Sequence, residues 1–157
     1  MLILALLSCL GAVLSFFESM LPILTSIPGG KLGIANAVTV IVIYTMGSVP
    51  AIIVSGLRAF ISCLMYGGMN AFMYSFAGAI LSCVGMILVK SALKDKVTPI
   101  GVCVVGAALH NIAQVAVAFV FLKSDALIWY LAMLLLISVV SGAVCGYFTR
   151  ECMKRIG

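Results

Sequence analysis

The chain has 157 residues, 65% of them hydrophobic and only 8% charged, with a formal net charge of +5 and a mean hydropathy of +1.35. A soluble domain of this length needs many more polar side chains to cover its surface. The composition therefore excludes a soluble module and leaves an all-α integral membrane protein.

The first apolar run covers about residues 2–24. It follows Met1 without a basic leader segment and is expected to be retained. The stretch TSIPGGK then interrupts it, and Pro28-Gly29-Gly30 reads as a loop. From Leu32 to Met65 there is no polar gap, yet a single helix of that length would measure about 50 Å against a hydrocarbon core of about 30 Å. Two crossings are predicted instead, over 32–47 and 50–66, with Gly47-Ser48-Val49-Pro50 as the turn. Three more spans follow at about 70–90, 99–122 and 126–149, making one domain of six transmembrane helices over 1–157.

Basic residues set the orientation. Lys90, Lys94 and Lys96 lie between spans four and five, and Arg150, Lys154 and Arg155 follow span six. Only Lys31 and Lys123 fall on the other side. Both termini are thus expected in the cytoplasm, with Trp129 and Tyr130 at the outer interface of an inner or plasma membrane. The cysteines Cys9, Cys63, Cys83, Cys103, Cys145 and Cys152 fall singly, without a CxxC or a Cys/His cluster, and read as small packing residues.

The polar residues inside the spans carry the functional signal. In span one, Ala5, Ser8, Ala12, Ser15 and Ser19 form a narrow stripe that would let another helix approach closely, either within the bundle or from a partner. Glu18 lies near the outer end of that span, and Lys31 and Asn36 open the next. Arg58 sits near the middle of span three, where a guanidinium is costly unless it faces protein or water, so it is a site candidate. In span four Asn70, Tyr74, Gly78 and Gly85 fall within roughly 80° of one another. In span five His110 and Gln114 lie roughly 40° apart, with Asn111 beside them and bulky apolar residues opposite. Together Glu18, Lys31, Asn36, Arg58, Asn70, Tyr74, His110, Asn111 and Gln114 describe a polar cavity in the outer half of the bilayer. Plainer roles remain open: Asn111 and Gln114 as bonds between helices, Arg58 paired with Glu18, Lys31 as a loop lysine, Tyr74 as packing.

Catalytic signals are sparse. There is no Walker A motif, and the four acidic residues Glu18, Asp95, Asp125 and Glu151 are too scattered for a two-carboxylate magnesium site. No acid stands close to His110 in sequence for a nucleophilic triad. The chain is expected to bind a small molecule rather than to transform one, with no catalytic residue, no metal and no nucleic-acid partner.

Glu18-Ser19-Met20-Leu21-Pro22, Lys31-Leu32-Gly33-Ile34-Ala35-Asn36, Arg58, Tyr66-Gly67-Gly68, Pro99-Ile100-Gly101-Val102 and His110-Asn111…Gln114, in that order, resemble the Gx transporter family. Its members are also labelled heptaprenyl diphosphate synthase component I. That family in turn resembles the substrate-binding S components of energy-coupling factor transporters, which import vitamins. The resemblance implies six helices with both termini inside and a ligand cavity in the outer half, capped by the loop after helix one. It also implies uptake of a small vitamin-like or anionic solute, driven by partner ATPases through a transmembrane coupling subunit. That subunit would dock on small residues of helix one, for which Ser8 and Ala12 are the nearest equivalents, with serine where the pattern has alanine. Two other readings follow from the same resemblance. One is a membrane subunit of a redox or isoprenoid-quinone system with a bound flavin or quinone, although Ser141-Gly142-Ala143-Val144 lacks the threonine of a flavin-attachment motif. The other is an accessory subunit of a prenyl diphosphate synthase, in a chain that has no aspartate-rich DDxxD motif.

Overall fold

A computed structural model describes residues 2–20, 33–66, 69–124 and 126–156. They form six helices: α1 (Leu2–Ser19), α2 (Ile34–Thr45), α3 (Ser48–Tyr66), α4 (Met69–Leu93), α5 (Pro99–Leu122) and α6 (Ala126–Ile156). A 3-10 turn at Lys94–Lys96 joins α4 to α5, and no strand occurs among the described residues. Lys31 and the loop motif Pro28-Gly29-Gly30 lie outside the described residues, as does the side chain of Asn70.

Local sequence accounts for the helix ends. α5 opens on Thr98, whose hydroxyl accepts from the Gly101 N–H at 3.4 Å, with a proline in the first turn, where its missing N–H costs nothing. α2 ends where the N–H groups of Met46 and Gly47 both donate to the Val42 carbonyl, at 2.8 and 3.0 Å. Gly47 then takes φ +94°, a left-handed conformation open to glycine. The turn is narrower than the expected Gly47–Pro50, because Ser48, Val49 and Pro50 already form the first turn of α3. Proline is tolerated there for the same reason as in α5.

Five helices, α1 and α3 to α6, are long and apolar enough to cross a membrane. α2 is apolar but has only 12 residues, about 18 Å at the helical rise. It touches each of the other five helices, and seven of its 12 residues are buried. A helix that is apolar all round belongs in a core, and α2 is the shaft of this bundle. Val38, Val40, Val42 and Ile43 pack against Val54, Cys83, Met86, Val102 and Cys103. The outward faces carry Leu6, Leu10, Phe60, Leu64, Leu88, Val120, Leu136 and Val140, side chains suited to lipid.

The small-residue stripe of α1 turns inward. Ser8 and Ala12 are wholly buried, as are Gly11 and Ser15, and α1 packs mainly against α3. The close approach that Ser8 and Ala12 permit is used within the bundle, between α1 and α3. None of the six cysteines is in a disulfide.

Candidate functional site

Five helices bring polar side chains to one small cavity. Its lining includes Glu18 and Ser15 of α1, Asn36 of α2, Arg58 and Ser62 of α3, Ser75 of α4 and His110 of α5. Glu18, Asn36, Arg58 and His110 are each 6% exposed or less. A buried carboxylate and a buried guanidinium thus face the same space, an arrangement too costly at membrane depth to arise without a compensating environment.

The backbone around the cavity is shaped to hold these groups. Gly33 precedes α2 with φ +80°, which favours glycine. This conformation lets its N–H donate to Glu18 Oε1 while its carbonyl accepts from the Asn36 N–H at 2.9 Å. The Glu18 carboxylate therefore sits at the N-terminal end of α2, where the helix dipole favours negative charge. Arg58 Nη2 donates to Asn36 Oδ1 at 3.3 Å. Arg58 passes over Gly11, where an added Cβ would stand 2.7 Å from its Cδ; His110 lies against Gly78, where a Cβ would stand 2.7 Å from its Cε1. Two glycines on neighbouring helices thus make room for the two large polar side chains.

Several buried polar atoms find no hydrogen-bond partner: Asn36 Nδ2, Ser62 Oγ, Thr39 Oγ1, Asn111 Oδ1 and both polar atoms of the Gln114 amide. Two of these atoms, Asn36 Nδ2 and Ser62 Oγ, belong to residues that line the cavity; each costs about 1–3 kcal/mol if it stays unpaired, so the pair points to a polar occupant. The cavity as it stands is small, with about 10 Å³ of free space, about what a single water needs. A vitamin-sized solute requires several hundred Å³ (roughly 300 or more), so its entry would need the walls to part.

The sequence-derived set divides in the structure. Glu18, Asn36, Arg58 and His110 line the cavity together. Asn111 does not: its Nδ2 donates to Ser138 Oγ at 2.7 Å, and that hydroxyl donates to the Leu134 carbonyl, tying α5 to α6. Tyr74 packs its ring edgewise on Phe121 with centroids 6.4 Å apart and is not among the lining residues. Gln114 is buried but is not among the lining residues. Sequence reasoning missed Ser15, Ser62 and Ser75. Helical spacing carried a signal for two of them, since Ser15 is three residues before Glu18 and Ser62 four after Arg58, on the same faces. Among the described residues, no three His, Cys, Asp or Glu side chains gather as a metal site.

The family described as heptaprenyl diphosphate synthase component I matches residues 7–152. The chain belongs to that family. No curated protein and no solved structure matches it. The family match runs from α1 into α6 and takes in every residue that lines the cavity. The polar cavity thus lies within the part of the chain that matches the family.

Proposed function

We propose that the protein is the solute-binding membrane subunit of an uptake system, similar in role to an S component. It takes a small anionic or vitamin-like solute from the side opposite the lysine-rich end, and partner ATPases acting through a coupling subunit supply the energy. The observation that carries this reading is the convergence of Glu18, Asn36, Arg58 and His110, from four helices, on one buried cavity in an apolar bundle. Arg58 would meet a carboxylate or phosphate with its planar fork of donors. Asn36 Nδ2 and the Ser62 hydroxyl would supply neutral hydrogen bonds. Because the cavity is small, solute would select a wider state of the bundle, and its affinity would be lowered by the rarity of that state. No bond is made or broken in this role.

The family's printed description favours a second reading, an accessory membrane subunit of a prenyl diphosphate synthase. One experiment separates the two. The protein is purified in mild detergent, its absorbance recorded, and any co-purified small molecule identified by mass spectrometry. A small anionic solute held at about one copy per chain, and lost in Arg58→Ala, supports the binding subunit. A redox-active flavin or quinone would transfer the role to electron transfer. An empty protein that co-isolates with a soluble synthase would support the description and leave the cavity as packing.

A further inference from the structure

The polar cavity has a larger, apolar neighbour. α1 and α6 both pack against α2, yet among the described residues they do not touch each other. α2 comes to the surface along one stripe: Ile34, Ala37 and Ile41, three and four residues apart, are half-buried, whereas its other residues from Ala35 to Ile43 are buried. A groove of about 530 Å³ runs between α2 and α6, with Ile34, Leu136, Val140, Val144 and Cys145 among its lining. Ser141 also lines it, but its hydroxyl donates to the Ser138 carbonyl at 3.5 Å. Groove and cavity lie side by side at the first turn of α2. Ile34 lines the groove, and its chain neighbours Gly33 and Ala35 line the cavity. Cys145 in the groove wall is within electrostatic reach of Glu18 in the cavity wall.

We propose that the solute of this site is an anionic amphiphile dissolved in the bilayer, with a carboxylate or phosphate head in the polar cavity and one apolar chain in the groove between α2 and α6. The inference rests on the binding role proposed above and gives its substrate class. Size decides it. The cavity has about 10 Å³ of free space, so a wholly polar solute must force its walls apart, whereas the groove already has the volume of a ligand pocket. An amphiphile asks only its head to enter the cavity. There Asn36 Nδ2 and Ser62 Oγ, buried and without partners, are donors that suit the oxygens of an acidic head. A partner helix, about 10 Å across, would cover the groove from outside and leave both atoms unpaired. A chain that carries an acidic head fills the one space and satisfies the other.

The test uses the full chain in phosphatidylcholine nanodiscs, carrying Trp129→Phe and Val140→Trp, both at exposed positions. The introduced indole then stands on the groove wall as the only one in the chain. Dodecyl phosphate brominated at its chain end is expected to quench that indole saturably, and unbrominated dodecyl phosphate to restore it. Brominated dodecanol, with the same chain and no acidic head, is expected to quench only in proportion to its amount in the bilayer. Asn36→Ala and Ser62→Ala are each expected to weaken the saturable phase about tenfold, as loss of a hydrogen bond to a charged group does; circular dichroism checks that both keep their helical content. Equal, unsaturable quenching by the two probes would overturn the proposal and leave the groove to ordinary lipid. Dodecyl phosphate retained in native mass spectrometry and lost in Asn36→Ala, with the indole unquenched, would overturn it too, while the binding role stands. A water-soluble solute retained in its place would have the same meaning. If wild type retains neither, the binding role itself falls and the proposal with it. A wild-type dimer that Val140→Trp splits would assign the groove to a second copy and overturn the proposal.

Discussion

Arg58 shows how a single residue is made tolerable at membrane depth. A guanidinium in the middle of a span costs about 3 kcal/mol on insertion scales, and here it is only 3% exposed. Its compensation is local: the Asn36 carbonyl oxygen accepts from it, Glu18 lines the same cavity, and Gly11 gives its methylene chain a path. Arg58→Lys keeps the charge but loses the planar fork, so solute affinity is expected to fall about tenfold or more, read by calorimetry with whichever solute co-purifies. Unchanged affinity would mean that Arg58 only balances charge. Gly78→Ala sets two terms against each other. Alanine gains up to about 1 kcal/mol of helix propensity, whereas a Cβ 2.7–2.9 Å from three ring atoms of His110 overpacks the core at about 1–3 kcal/mol. The steric term wins, so the variant is expected to unfold at a lower temperature in detergent and to bind solute more weakly.

At the scale of the helix, α5 sends its one polar turn in three directions: His110 to the cavity, Asn111 to Ser138 of α6, and Gln114 into a buried position without a partner for its amide. Asn111→Ala removes one bond between helices, at about 0.6 kcal/mol and no more than about 1.7. Solute affinity should stay within about twofold of wild type, while Asn36→Ala should lose it; equal losses would return Asn111 to the site. This turn also marks how far the sequence can be read. The rotation of 100° per residue tells that His110, Asn111 and Gln114 avoid lipid, but not which neighbour each one meets. That depends on which helix stands on each flank, a property of the whole bundle. Glu18 and Arg58 were legible because charges are rare in apolar runs. Ser15, Ser62 and Ser75 were not, because serine is ordinary in membrane helices, where it can bond to its own backbone, as Ser8 does to the Leu4 carbonyl at 2.7 Å. The six helices followed from length and hydropathy, whereas the shortness and central place of α2 did not, since an apolar stretch reads alike whether it faces lipid or protein.

Across the whole molecule, charge is polarised. Lys90 bonds to the end of α2, and Cys103 of α5 lies 3.9 Å from Thr149 of α6. The basic residues after α4 and at the end of α6 therefore share one end of the bundle. The bias of such residues toward the cytoplasm gives a test with a native cysteine. Cys152 is exposed at that end, whereas Cys83, Cys103 and Cys145 are buried. A membrane-impermeant maleimide is expected to label Cys152 in inverted vesicles and not in intact cells. Labelling in intact cells would reverse the orientation, and with it the side from which solute enters.

The shortness of α2 separates the cavity from the thickness of the bilayer. Lipid-facing helices must match the hydrocarbon they cross, and each ångström of hydrophobic mismatch costs a fraction of a kcal/mol, met by tilt or by local thinning. α2 touches each of the other five helices and has seven of its 12 residues buried, so it has little lipid to match. Five adjustable staves thus stand about a core shaft that thickness does not load directly. Asn36 belongs to that shaft, and the Gly33 N–H at its cap tethers Glu18 of α1 to it, so under the proposed function these two contacts are held to the shaft when the outer helices tilt. Arg58 and His110 ride on the outer helices α3 and α5. Shorter or longer lipids should therefore change how readily the cavity opens more than the chemistry it presents once open.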